Sequence, residues 1–258
     1  MVVYSPFNLV AFTNSIKSKT AVIFISGLSD NLLHPKYSIE VMNYCTNHQL
    51  LFIQPQLRSF PYYGLHPLQH DSEDLSCLLQ FYDPQIDQYI LIGHSTGCQD
   101  IIYLLKQNHY NKAEKIKCCI LQGPVSDREY EEICVNPGVG GLLEEFNGKD
   151  IFYYRGTPFI LKRFESLFVK DGDDDMFSVD LEDEKFRNLN PRAVSFHFVL
   201  SEKDEYVVQP LEVIQQKFKL VPHSTVFVVE GADHALTSGA SKVFLDYLHT
   251  VINKYRLN

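Results

Sequence analysis

The most restrictive feature of the chain is five residues long, Gly93-His94-Ser95-Thr96-Gly97. It lies between an apolar run, Tyr89-Ile90-Leu91-Ile92, and a stretch with apolar residues at helical spacing, Ile101, Ile102, Leu104 and Leu105. The pattern G-x-S-x-G arises by chance about once in ten to fifteen chains of this length, with Gly and Ser each near ~7% of residues. Its setting carries more information than the pattern. A strand that turns through Gly-x-Ser-x-Gly directly into a helix strains the serine backbone, and side chains at 93 and 97 would clash with the neighbouring strand and helix. The turn also lifts the Ser95 hydroxyl to the carboxyl edge of a sheet, beside a helix N-terminus whose dipole favours a negative oxygen.

The rest of the chain supplies such a sheet. Ala21–Ile25, Leu50–Ile53, Tyr89–Ile92, Ile116–Leu121, Ser195–Leu200 and Thr225–Val229 are short β-branched or continuous apolar runs, as strands buried on both faces require. Between them the periodicity predicts helices over Tyr37–His48, Ser72–Tyr82 with Ser72 as N-cap, the stretch after Ser95, Val207–Phe218 and Ser241–Lys254. In the last of these Val243, Phe244, Tyr247, Leu248 and Val251 form the inward face. Alternation of this kind implies a mostly parallel sheet with helices on both faces. With 258 residues and no repeat or low-complexity linker, one domain over 1–258 is expected. The rhythm breaks over 125–191, where an insertion of mostly helical character is expected to form a lid or cap. Its acidic run, Asp171 and Asp173 to Asp175, lacks EF-hand spacing and reads as a solvated loop.

A serine hydroxyl is a poor nucleophile at neutral pH and needs a base within hydrogen-bond reach. In the α/β-hydrolase fold, which strand, elbow and helix together imply, the partners follow in the order Ser, Asp or Glu, His, each on a loop after a strand. His234 lies on the loop Glu230-Gly231-Ala232-Asp233-His234, between the final strand and the final helix, and is the candidate base. Glu202, Asp204 and Glu205 follow the preceding strand; Asp204, four residues past Leu200, is the leading candidate acid. Glu202 is the reserve, and Glu205 is expected to cap the next helix. Two backbone N–H groups must face the developing oxyanion. Thr96, after the serine, offers one, and Leu28, in the loop Ser26-Gly27-Leu28-Ser29-Asp30, the other. Gly27 and Arg128 are candidate substrate contacts, and His94 reads as a packing residue.

Composition narrows the alternatives. A net charge of -9 and a pI near 5.5 argue against nucleic acid as partner, since phosphate binding needs a concentrated basic face. The six cysteines show neither C-x-x-C spacing nor zinc-ligand spacing and read as free thiols of a reducing compartment. No secretory signal and no apolar stretch long enough to span a bilayer is visible, so a cytoplasmic location is expected. The chemistry requires no metal and no organic cofactor, and the expected partner is a small-molecule ester.

Four stretches in order carry a more specific likeness: Ser26-Gly27-Leu28-Ser29-Asp30, Gly93-His94-Ser95-Thr96-Gly97-Cys98-Gln99-Asp100, Pro124-Val125-Ser126-Asp127-Arg128-Glu129 and Asp175-Met176-Phe177-Ser178. With them the chain resembles the mainly fungal and plant α/β-hydrolases long catalogued as a domain of unknown function, a family that includes a fungal siderophore esterase. The resemblance implies a serine esterase with Ser95, Asp204 and His234 as triad and, by analogy, a siderophore-type ester as substrate. The chain departs from the family at Ser26, where Gly is usual, and at Asn31, where Gly is expected. A non-catalytic binding protein, and a thioesterase, peptidase or acyl-transfer activity, remain the alternative readings.

Overall fold

The computed structural model describes residues 1–237 and 239–255. Eight strands form one sheet in the order β1-β2-β4-β3-β5-β6-β9-β10. In chain order they are β1 (Val2–Val3), β2 (Val10–Thr13), β3 (Thr20–Ile25), β4 (Leu51–Pro55), β5 (Gln88–His94) and β6 (Ile116–Gln122), then, beyond a separate hairpin of β7 (Phe152–Tyr154) and β8 (Thr157–Phe159), β9 (Ser195–Ser201) and β10 (Ser224–Val229). From β4 to β10 every pairing is parallel, while β1 and β2 add an antiparallel edge.

Helices cover both faces. On one face lie α1 (Tyr37–Asn47) and, last in the chain, the helix at Ala240–Tyr255, packed on Val22, Phe24, Ile90 and Ile92. On the other, α2 (Leu68–Tyr82) and α3 (Gly97–Lys106) pack on Ala21, Ile23, Ile25 and Leu91. The strand residues alternate between the two cores because successive side chains leave a strand on opposite sides. The crossover after β3 thus runs on one face and that after β5 on the other, so adjacent strands β3 and β5 mark the point where the winding reverses. In open parallel sheets, ligands bind outside the carboxyl ends of the strands at such a point.

Several boundaries differ from expectation for local reasons. Helix α2 begins at Leu68, directly after Pro67, and Ser72 lies buried inside it with its hydroxyl bonded to His109 Nδ1 at 2.8 Å, so it caps nothing. The helix expected from Val207 starts at Leu211, because a residue before a proline, here Pro210, is disfavoured in the helical region. In the C-terminal helix Val243 is exposed and Ile252 takes its place inside.

The insertion is less helical than expected. It comprises α4 (Asp127–Tyr130), α5 (Leu142–Phe146), the β7–β8 hairpin, α6 (Leu161–Phe168) and α7 (Asp183–Arg187), followed outside it by α8 (Leu211–Phe218) and the helix at Ala240–Tyr255, which is α9. The hairpin turns through Arg155 and Gly156, both at positive φ, the geometry that matches the twist of paired strands, and Phe152, Tyr154 and Phe159 favour strands. Phe146, Phe152, Phe159 and Phe164 form a small core of their own. The acidic run is solvated only in part: Asp171 and Asp173 are exposed. Asp174 and Asp175 are buried: Asp174 pairs with Arg163, which is itself fully buried on α6, and Asp175 with Arg128. The carboxyls of Asp71 on α2, Asp100 on α3 and Asp127 on α4 also favour the Arg163 charge, although burial pushes the pKa of each upward, so one cation links the insertion to the helices beneath it.

Removing one partner of a buried ion pair leaves the other uncompensated. Arg163→Met is therefore expected to lower unfolding free energy by about 3–5 kcal/mol, and Arg163→Met with Asp174→Leu to recover part of that, both read from urea denaturation. Equal stability of the single variant and the parent would refute this account of how the insertion is anchored.

Candidate active site

The elbow after β5 is as tight as the glycines suggested. A Cβ on Gly93 would lie 2.6 Å from the Gly97 carbonyl oxygen, and one on Gly97 would lie 2.4 Å from the Ile25 carbonyl oxygen. Strand β5, helix α3 and strand β3 touch backbone to backbone here. Ser95 pays for that approach with φ of +54°, left-handed for a non-glycine residue, and its N–H donates to the Gln122 carbonyl at 3.0 Å. Gly27 presses on it from β3's loop: a Cβ at 27 would sit 2.9 Å from Ser95 Cβ.

His234 and Asp204 meet on the same side of the sheet. His234 Nδ1 donates to Asp204 Oδ2 at 2.8 Å, which leaves Nε2 of the neutral ring as the acceptor, and both side chains are buried. Burial lowers the His234 pKa, but the Asp204 hydrogen bond and the charges of Asp204, Glu205 and Asp127 outweigh it, so the net shift is upward. Tyr206 stands edge-on to the imidazole, ring centres 4.7 Å apart. Ser95 and His234 line one cavity of about 290 Å3 with Gly27, Leu28, His34 and Asp127 among its walls. Among the described residues Ser95 Oγ has no hydrogen-bond partner; such links are often loose before substrate binds.

The remaining candidates sort as follows. The Leu28 side chain packs on the insertion's phenylalanine core, which places its loop against the insertion, and Thr96 stands at the N-cap position of α3 without a side-chain cap bond. Glu202 accepts from the Gly231 N–H at 2.7 Å, and Glu205 from the His234 N–H at 3.0 Å. Glu205 thus holds the histidine loop and caps no helix. Arg128 is not a cavity residue, contrary to expectation. Its guanidinium is consumed by Asp175 at 2.9 Å, Glu132 at 3.2 Å and Asp180, all acids of the insertion.

Two residues that sequence reasoning passed over hold the histidine in place. Gln122, fully buried at the end of β6, accepts at Oε1 from the Tyr37 hydroxyl (2.8 Å) and His94 Nδ1 (2.6 Å). Its amide donates to the His234 carbonyl at 3.1 Å and weakly to Ser201 Oγ at 3.4 Å. His94, whose ring lies 4.8 Å from that of His234, is held neutral: burial, reinforced by the charge of His234, pushes its pKa down to about 3. Gly123, at φ +61°, leaves room for the imidazole, since a Cβ there would lie 3.0 Å from His234 Cε1 and 3.1 Å from Nδ1. The signal for both was a polar Gln-Gly pair closing an apolar strand, a common sight at any strand end.

Comparisons agree with this architecture. The fold is that of the α/β-hydrolases. The siderophore hydrolase EstB from Aspergillus fumigatus superposes with a TM-score of 0.73 at 19% identity, covering 97% of this chain and 96% of that one. Mouse α/β hydrolase domain-containing protein 10 superposes with 0.67 at 16%, covering 96% and 95%. The chain belongs to the family described as protein of unknown function DUF1749, whose model matches residues 4–144 and 138–255. It is 27% identical over 230 residues to a UPF0613 protein of Schizosaccharomyces pombe, covering 77% of this chain and 72% of that protein. It is also 24% identical over 231 residues to the fusarinine C esterase sidJ of Aspergillus fumigatus, covering 67% and 65%. No helix among the described residues is long and apolar enough to cross a membrane.

Replacing Gln122 by Leu strands the Tyr37 hydroxyl, His94 Nδ1 and the His234 carbonyl in the interior. With buried orphans costing about 1–3 kcal/mol each, Gln122→Leu should lose at least about 2 kcal/mol of stability by thermal or urea unfolding. An unchanged midpoint would show that the network holds nothing.

Proposed function

We propose that the protein is a serine hydrolase of carboxylic esters, with Ser95 as nucleophile, His234 as general base and Asp204 as the acid that orients it. The observation that carries the reading is the pairing of a strained serine, at φ +54°, with a buried histidine on the wall of the same cavity whose Nδ1 is bonded to Asp204 behind it. Strain of about 1–3 kcal/mol at one residue persists where the surrounding structure imposes it, and it clusters at functional sites.

In this reading Ser95 Oγ attacks the ester carbonyl carbon as its proton passes to His234 Nε2. Asp204, still ionised, stabilises the imidazolium and fixes the tautomer. The Leu28 and Thr96 amides hold the tetrahedral oxyanion; no hydrogen bond among the described residues occupies either N–H. Collapse expels the alcohol, which takes the proton from His234. Water then gives its proton to His234 and attacks the acyl-enzyme, releasing the acid and restoring Ser95. The insertion over 125–191 acts as a cap, walling the cavity through Val125 and Asp127 and bracing the Leu28 loop. A siderophore-type ester is the narrower form of the proposal, supported by the fusarinine C esterase among the relatives and the siderophore hydrolase among the structural neighbours.

A fluorophosphonate probe should label the protein and fail to label Ser95→Ala, and p-nitrophenyl esters of graded acyl length should be turned over by the parent alone. Absence of labelling on intact Ser95 would overturn the proposal; labelling without turnover of any ester would favour a peptidase or acyl-transfer activity.

A base works only when unprotonated, and the His234 pKa lies above its ordinary 6.5. The acid limb of kcat/KM should therefore have its midpoint above pH 6.5, activity falling as pH drops through it. Asp204→Asn should reduce kcat by roughly a thousandfold or more. An acid limb at or below pH 6.5 in the parent would exclude His234, as described, from the role of base.

A further inference from the structure

Around the candidate nucleophile the cavity carries three carboxylates, Asp30, Asp127 and Glu205, and neither lysine nor arginine. Two of the three are committed to the protein. Asp30 takes the Gly27 N–H at 3.1 Å on one oxygen and His34 Nδ1 at 2.5 Å on the other. Glu205 takes the His234 N–H.

Asp127 is different. It opens α4 just past Ser126, whose hydroxyl caps that helix, and beyond its own backbone N–H its carboxyl meets only Gln99 Nε2, at 3.5 Å. No ion pair among the described residues includes it, although the next residue, Arg128, forms three with other acids. Burial, with the charge of Asp174 added, pushes its carboxyl up to about 7 against the opposing pull of Arg163 and His234. A carboxyl so placed is half-buried, lines the cavity beside Ser95 and has no ion-pair partner among the described residues. Left unpaired when charged, it is costly; matched with a cation in a confined site, it becomes a strong point of recognition.

We propose that Asp127 is a specificity residue that binds a cationic amine carried by the ester substrate. This rests on the hydrolase reading of the site and adds to it the charge of the substrate. The cavity is small, about 290 Å3, so a substrate seated at Ser95 has few atoms between its carbonyl and the wall that Asp127 forms. Neither lysine nor arginine lines that wall, and although Arg163 and His234 act on the Asp127 carboxylate from a distance, neither forms an ion pair with it.

Two matched pairs of esters test this: ethyl 6-aminohexanoate against ethyl heptanoate, with the cation on the acyl side, and butyrylcholine against 3,3-dimethylbutyl butyrate, with it on the alcohol side. In at least one pair the parent should favour the cationic member. In Asp127→Asn the ratio of kcat/KM, cationic over neutral, should fall by roughly 10- to 100-fold, and Asp127→Glu should restore part of it. Calorimetric binding of the same esters to Ser95→Ala, with and without Asp127→Asn, gives a readout that needs no turnover. Loss of cation preference in binding supports the proposal even if no ester is cleaved, an outcome that would sink the hydrolase reading alone. Absence of preference in both pairs overturns the proposal, as does an equal fall for both members of a pair in Asp127→Asn, which would assign Asp127 to support of His234. Retained fluorophosphonate labelling and an unchanged unfolding midpoint would show that the Asp127 variants are folded.

Discussion

Everything at the candidate site depends on one steric fact: β3, β5 and α3 approach so closely that no side chain fits between them. The Ile25 carbonyl lies where a Cβ of residue 97 would be, and the Gly97 carbonyl where a Cβ of residue 93 would be. The chain can leave β5 and enter α3 in that space only by turning sharply, and the turn falls on Ser95. Its left-handed backbone is the local cost of packing two parallel strands and a helix at the point where the winding reverses. From that contact follow the exposure of the hydroxyl to the cavity, the hold of the Ser95 N–H on β6, and the demand for glycine at 27.

A second constraint is polar. Gln122 stands at the end of β6 with four partners drawn from α1, β5, β9 and the loop of His234. Because it is wholly buried, each of these bonds stands in for water that cannot reach it, and each is expensive to lose. The result is a rigid floor under the histidine. His94, sandwiched between Gln122, Tyr37 and His234, belongs to that floor as a neutral ring. The insertion is joined to the same region by charge, through Arg163 and the carboxylates around it, and by apolar contact between Leu28 and the phenylalanine cluster. The insertion and the Leu28 loop therefore form one packed unit.

Much of this was legible in the chain. The six parallel strands announced themselves because strands buried on both faces must be continuously apolar, and the elbow because Gly-x-Ser-x-Gly between strand and helix has few other uses. What escaped was short or set by context. Strands β1 and β2 are too brief to show a period. The β7–β8 hairpin depends on Arg155 adopting a left-handed conformation, for which arginine gives no signal. Asp174 and Asp175 looked solvated in a run of acids, since a charge is hydrophilic wherever it occurs; only the approach of Arg163 and Arg128 made their burial tolerable.

The class of fold, the place of the elbow, and the chain order of Ser95, Asp204 and His234 can be read from residue pattern alone, because these follow from hydrophobic period and from the need for glycine at close contacts. Which carboxylate bonds to His234, why Arg128 turns away from the cavity, and why Asp127 is left facing it were decided only by tertiary structure. Those outcomes depend on which side chains from distant segments converge, and pairwise distance is the one quantity that local pattern does not encode.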